Sequence, residues 1–400
     1  MVDSFIPRIR FKMCKNQWEK NKLSKLAKFN PKSTLPEKFK YVDLESVLGT
    51  DLISYREVSR ENAPSRAQRV AQKGDVFYQT VRPYQKNNYL FDLNEDNYVF
   101  STGYAQLRPK VDSAFLLASL QEEGFVNKVI ERCTGTSYPA INSKDLSRIP
   151  ITIPEDFDEQ SAIGSLFRNL DDLLVSYKDN LANYQSLKAT MLSKMFPKAG
   201  QTVPEIRLDG FEGEWEKYYL GDIFEQISNY IEPSEENELW SLTVEKGLTP
   251  KTERYKRDFL VKKNDKFKKV DLNEFVYNPM NLTLGALDLN NNDVTISVSG
   301  YYVVMKNIDV EKFDNDFLKI LLKTTYAIYQ YKQFATGTLI EKQRVQFPTF
   351  SEIPFYLPPI AEQQAIGAYF SNLDNLITAQ QEKISQLETL KKKLLQDMFI

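Results

Sequence analysis

The side chains in this sequence that could do chemistry are hydrogen-bonding groups on short, strand-like runs. Gln79, Thr80, Arg82, Tyr84 and Lys86 form one cluster, followed by Ser101 and Tyr104. Tyr277, Asn278, Asn281 and Thr283 form a second, followed by Ser299 and Tyr301. Two small echoing loops, Thr134-Gly135-Thr136 and Thr336-Gly337-Thr338, add Thr136 and Thr338, and Lys246 opens a basic stretch. Amide, hydroxyl, guanidinium and ammonium groups of this kind bond to base edges and phosphates, so the chemistry on offer is recognition of nucleic acid. Taken singly, each of these residues is more simply a polar surface residue. What selects them is their position in the repeat described below.

Bond-making chemistry is poorly provided for. The chain has no histidine, which removes Ser-His-Asp and Cys-His nucleophile systems, HExxH zinc sites and Cys2His2 fingers. Cys14 and Cys133 are far apart and form no CxxC pair, which predicts free thiols in a reducing compartment and no disulfide framework. Tyr277-Asn278-Pro279-Met280 faintly echoes the Asn-Pro-Pro-Tyr signature of amino-methyltransferases. It lacks the second proline and the aromatic, and no Gly-rich cofactor loop precedes it. No GxxxxGK[ST] loop is present to hold ATP. The reading is therefore no catalytic residue, no metal site and no cofactor bound by this chain.

Charge adds to this through its distribution. The net charge is −2, yet residues 1–40 carry eleven Lys or Arg against three acids, and residues 246–269 carry ten against three. Residues 154–196 between them are net acidic. Two basic patches around an acidic middle suit contact with a polyanion, although a charge run by itself is only a solvated face. The first residues include Asp3, Pro7 and Arg8, and no uncharged apolar run of about 18 residues occurs. The expectation is a soluble, cytoplasmic protein with no membrane partner.

The elements that must position these residues are written twice. Ile6-Pro7-Arg8-Ile9-Arg10-Phe11 with Trp18-Glu19-Lys20 and Leu23 returns, 197 residues on, as Val203-Pro204-Glu205-Ile206-Arg207-Leu208 with Trp215-Glu216-Lys217 and Leu220. Glu159-Gln160-Ser161-Ala162-Ile163-Gly164 with Phe167, Asn169-Leu170-Asp171 and Met195-Phe196 returns, 203 residues on, as Glu362-Gln363-Gln364-Ala365-Ile366-Gly367 with Phe370, Asn372-Leu373-Asp374 and Met398-Phe399. Between these flanks, residues 24–147 and 221–352 differ almost completely. A duplicated scaffold holding two divergent modules suits recognition of two different things at a fixed separation.

Each second flank predicts a long helix. Ile163, Phe167, Leu170, Leu174, Tyr177, Leu181 and Tyr184 follow 4-3 spacing, as do Ile366, Phe370, Leu373, Ile377, Gln380, Ile384 and Leu387. These are heptad seams, uninterrupted by proline and preceded by Pro154 and by Pro358-Pro359. Mutual antiparallel pairing is the simplest way to bury both, and roughly 36 residues at ~1.5 Å each make a rod of ~54 Å. Leu166, Leu173 and Leu192, outside the seam, leave apolar surface for a protein partner. The modules mix β-rich runs (75–81, 295–304) with helical ones (115–130, 317–334), which predicts α/β domains.

These residues and their layout resemble the specificity subunit of type I restriction-modification enzymes. The likeness rests on Pro358-Pro359-Ile360-Ala361-Glu362-Gln363-Gln364-Ala365-Ile366, on the Trp18-Glu19 and Trp215-Glu216 openings, and on Thr80-Val81-Arg82-Pro83 and Ser101-Thr102-Gly103-Tyr104-Ala105. It departs at Glu155-Asp156-Phe157-Asp158, before the first Glu-Gln. The resemblance implies an α/β fold with a pseudo-two-fold internal repeat. Target-recognition domains at 1–150 and 198–355 would be joined by constant helices at 151–197 and 356–400, paired as an antiparallel coiled coil. It implies double-stranded DNA as ligand, with each domain reading half of a bipartite site. It also implies two modification (methyltransferase) subunits carrying S-adenosylmethionine and, optionally, two restriction (motor-nuclease) subunits using ATP and Mg. The DNA methylation and phage defence would then belong to the complex. Two other readings remain at this stage: a specificity subunit of a related system whose methylation and cleavage reside in different partners, and a coiled-coil adaptor that binds only protein.

Overall fold

The structure, a computed structural model, describes residues 6–12, 14, 16–135, 137–198, 200–234, 237–251, 267–337 and 343–400. The chain divides into two units, residues 1–180 with 380–400 and residues 181–379. Each is built on the same plan.

In the first unit the β-branched, proline-bounded run Pro150–Pro154 is extended, as Ile and Thr between prolines favour. It pairs antiparallel with Trp18–Lys22, Trp18 opposite Pro154 and Lys22 opposite Pro150. One four-stranded antiparallel sheet has the order Ala27–Phe29, Tyr104–Pro109, Val76–Gln79, Tyr89–Leu90. A second runs Arg56–Ser59, Lys38–Val42, Tyr98–Ser101, Ala67–Val70, with its two central strands parallel. Helices Ser113–Gln121 and Glu123–Ile130 follow.

The second unit repeats the plan. Glu216–Tyr219 pairs with Pro354–Leu357. The antiparallel sheet Phe224–Ile227, Val303–Asn307, Phe275–Tyr277, Leu287–Leu289 keeps the strand order of its counterpart. A three-stranded sheet is formed by Tyr230–Ile231, Phe267–Val270 and Ile296–Ser299. Helices Asn315–Leu321 and Thr325–Phe334 follow.

Three expected elements are interrupted. The predicted strand across 295–304 is two strands, because a turn in which Tyr302 N–H donates to Ser299 O separates them. Each predicted long module helix is two helices. Glu122 and Thr324 are extended and cap a new start, their side chains accepting from Phe125 N and Ala327 N.

The first long helix spans Phe157–Lys194 and the second Ile360–Met398. The repeated Glu-Gln anchors each entry. Arg10 donates from Nε and Nη2 to the two oxygens of Glu159 at 2.6 and 2.7 Å, and Trp18 Nε1 donates to Glu159 Oε1. Arg207 and Glu362 meet the same way at 2.7 and 2.6 Å. Gln160 accepts from Asp112 N and donates to Pro154 O, while Gln363 accepts from Asp314 N and donates to Pro358 O. The two aspartates cap Ser113–Gln121 and Asn315–Leu321. Gly164 and Gly367 lie under these caps, and a Cβ at Gly164 would stand 2.4 Å from Asp112 Oδ1. Arg10, counted at sequence level in a basic patch, is thereby a structural ion-pair partner.

The repeated Met-Phe pairs close the cores. In the first unit Met398 and Phe399 are buried with Trp18, Tyr78, Phe115, Ile163 and Phe167. In the second, Met195 and Phe196 are buried with Trp215, Tyr277, Phe317, Ile366 and Phe370. The tryptophans meet these rings edge-on, Trp18 with Phe399 at 6.2 Å and Trp215 with Phe196 at 6.5 Å.

Within each unit a stretch of one long helix runs antiparallel to a stretch of the other. Lys391 pairs with Asp171 and Lys178 with Glu388 in the first unit, and Lys188 pairs with Asp374 in the second. Burial follows the 4-3 spacing. Ile163, Phe167, Leu170, Leu174, Ile366, Phe370 and Leu373 are buried, while Leu181, Ile377 and Ile384 are half-buried, where neither domain core reaches them. Among the described residues no helix is long and apolar enough to cross a membrane.

Candidate nucleic-acid interface

The interior claims part of the polar set. Gln79 is buried at the end of Val76–Gln79. Its Nε2 donates to Val81 O and Gln85 Oε1, and its N–H donates to Asn88 Oδ1. Thr80 is buried and donates to Gly103 O, and Ser101 Oγ accepts from Gly103 N. Tyr104 stands edge-on to Phe77 and Phe100 with no exposed surface. Tyr277 is equally buried, stacked on Phe350 at 5.0 Å, and Thr283 is buried beside it in sequence. Burial pushes the phenols of Tyr104 and Tyr277 well above their ordinary range, so both stay protonated. These six residues shape the loops and cannot also face a duplex, because their polar atoms lie inside the unit.

The remainder reach the surface. Tyr84 is 50% and Tyr301 85% exposed, and Lys246 and Asn281 are exposed. Arg82, Lys86, Asn278 and Ser299 are half-buried. Lys86 is engaged, its Nζ donating to Gln121 O and Glu123 Oε1. Thr136 and Thr338 lie outside the described residues, as does most of the basic stretch 246–269. Of its described members, Lys268 is buried and donates to Tyr302 O, burial pushing its ammonium pKa down, and Lys269 pairs with Asp271.

The fold brings the loop after each central strand to the loop that contains the Thr-Gly step. In the first unit Arg82 N–H donates to Pro139 O and Ile141 N–H to Thr80 O. In the second Val345 N–H donates to Pro279 O, and Thr336 is bridged to Arg344. This contact reveals Tyr138, which the sequence reading missed. It is 64% exposed, and the Arg82 guanidinium lies 4.3 Å from its ring centroid. An aromatic three residues past a Thr-Gly step was the only signal for it. Among the described residues no group of three or more Cys, Asp or Glu is placed to hold a metal.

The outward groups are thus a guanidinium and aromatic rings in the first unit, at Arg82, Tyr84 and Tyr138, and amides, a hydroxyl and a ring in the second, at Asn278, Asn281, Ser299 and Tyr301, kinds of group that duplex recognition uses. Comparison with known proteins identifies the family. The family described as "Type I restriction modification DNA specificity domain" matches twice, over residues 15–183 and 212–389. The MjaVIII type I restriction enzyme specificity subunit of Methanocaldococcus jannaschii is 23% identical over 307 residues, 71% of this chain and 69% of that one. The HindI specificity subunit of Haemophilus influenzae is 28% identical over 138 residues, 33% of this chain and 30% of its own length. The same fold occurs in the S subunit of a type I restriction-modification system from M. genitalium, at 15% identity, 98% and 99% coverage and a TM-score of 0.62. It also occurs in a chain from a study of complex assembly and conformational transition in the type I R-M system, at 20% identity, 94% and 96% coverage and a TM-score of 0.52. Matched twice by one family over most of its length and built as two α/β units on one plan, the chain belongs to the type I restriction-modification DNA specificity family.

Proposed function

We propose that this specificity subunit reads a bipartite double-stranded DNA site, one half with each unit, and leaves the chemistry to its partners. The observation that carries this is the pairing of matching Arg-Glu helix-entry anchors with loop pairs whose surface residues differ between the units. Two modification subunits holding S-adenosylmethionine would methylate adenine, and two restriction subunits using ATP and Mg would complete a cleaving complex.

Two equivalent partner sites are supported by exposed leucines at matched helix positions. Leu173 and Leu376 are 46% and 41% exposed, and Leu187 and Leu390 are 38% and 45% exposed. Paired apolar residues left in solvent suit two copies of one partner. Leu166 and Leu192, by contrast, pack against the cores. The paired helices would set the gap between half-sites. Four residues inserted after Leu181 add ~6 Å of rise and nearly a full turn, so the gap should lengthen by one or two base pairs.

Methylation-sensitive sequencing tests the reading directly. Replacing residues 221–352 with a homologue's segment should change one half-site and leave the other intact. If both half-sites change together, the two-reader reading is wrong.

A further inference from the structure

The loops that follow the central strands are divergent in sequence but place the same short turn at a displacement of 199 residues, entered differently, with φ 53° at Arg82 and −122° at Asn281. A short 3-10 turn occupies Pro83–Gln85 in the first unit and Leu282–Leu284 in the second. The residue that caps its start is Arg82 in one and Asn281 in the other, and the residue that closes it is Lys86 or Gly285. Lys86 and Gly285 both have positive φ, 57° and 95°, so the closing bend is the same. The matched position that reaches the surface therefore carries a cation in the first unit and a neutral amide in the second.

Arg82 is unusually constrained. Its own φ is 53°, a conformation that side-chain-bearing residues adopt at a cost and that persists where the surroundings enforce it. Here Arg82 N–H is tied to Pro139 O, Gln79 grips Val81 O and Gln85, and Pro83 follows. The guanidinium rests on the exposed Tyr138 ring. Among the described residues no carboxylate or carbonyl pairs with it. The guanidinium is thus a fixed, half-buried cation with free N–H edges. It suits an anion that projects towards it, and on a duplex that anion is the backbone phosphate.

Resting on the DNA-reading function proposed above, we infer that position 82/281 is a matched backbone-contact point. Arg82 clamps a phosphate at the first half-site, and Asn281 meets the second without charge. The first half-site is then held with one more ionic contact at this point, and neither residue carries sequence information.

The test uses the subunit assembled with its methyltransferase partner, binding its duplex site at 50–200 mM salt. Arg82→Asn should make the log–log salt slope shallower by about 0.9, so that affinity falls roughly three- to fourfold less across that range. Asn281→Arg should steepen the slope by a similar amount, a gain that misfolding cannot mimic. The methylated sequence should be unchanged in both. Slopes that do not move in either variant overturn the inference, and so does a changed base in either half-site, which would make the position a base reader. A wild-type complex that fails to bind duplex DNA would instead remove the underlying function.

Discussion

The two helix entries and the two exposed loops diverge in opposite ways within one duplicated chain. At the entries, Arg10–Glu159 and Arg207–Glu362 have closest contacts of 2.6 Å, and both carboxylates are essentially without solvent. At the loops, Arg82 faces Asn281 and Lys86 faces Gly285 across the same turn. A buried ion pair tolerates no change of one partner, since an unpaired charge in the interior is costly. A surface loop side chain is not half of a buried ion pair, so its identity can differ between the units without cost to the core. The difference separates what builds each unit from what each presents to a ligand.

The strongest way to break the comparison is to remove an anchor. Glu159→Ala leaves the largely buried Arg10 guanidinium unpaired and Trp18 Nε1 without its acceptor and should cost about 3–5 kcal/mol, whereas Glu362→Ala leaves Arg207 its bonds to Glu212 O and Gly213 O and should cost less. Denaturant unfolding should show a larger loss for Glu159→Ala than for Glu362→Ala. The reverse order would refute the account of the two anchors.

Glycine substitutions sharpen it. At Gly164 an added Cβ meets Asp112 Oδ1 at 2.4 Å and the backbone N of Phe115 at 2.7 Å, whereas at Gly367 the closest atoms stand at 3.0–3.3 Å. Gly164→Ala should cost about 2–3 kcal/mol, and Gly367→Ala much less, because its milder crowding is offset by the ~1 kcal/mol that alanine gains over glycine inside a helix. Thermal unfolding of the two variants should rank them in that order, and the reverse order would refute the packing argument.

The smallest effect concerns acid. Asp288, in the second unit, is buried and desolvated, which raises its pKa, but Lys323, the Leu248 N–H and Lys319 outweigh this and hold it below the ordinary value. A depressed folded-state pKa contributes stability above the unfolded pKa, and that stability is lost as pH falls through the folded value. The second unit should therefore lose stability on acidification below the ordinary aspartate range. Asp288→Asn should flatten that dependence, and an unaltered acid limb in the variant would refute the assignment.

Some of this was legible in the residues. The 4-3 spacing from Ile163 and from Ile366 marked both long helices and their seams, because helical periodicity is a local property. The repeated Trp, Glu-Gln and Met-Phe marked two equivalent units. The repeat inside the modules was faint: Asp112 and Asp314 share a cap and a following Phe-Leu, Phe115-Leu116 and Phe317-Leu318, while Arg82 and Asn281 share a turn whose own residues differ throughout.

What the sequence by itself determined was the duplication, the two α/β units and the paired helices, all of which follow from periodicity and matched residues along the chain. Only the tertiary structure decided which polar residues face outward. Gln79 is consumed by Val81 and Asn88, and Tyr104 by the aromatic core, while Arg82 is held at the surface by Tyr138, 56 residues away. Strand alternation sets two faces, but which face meets solvent depends on what packs against the sheet, and those partners come from distant parts of the chain.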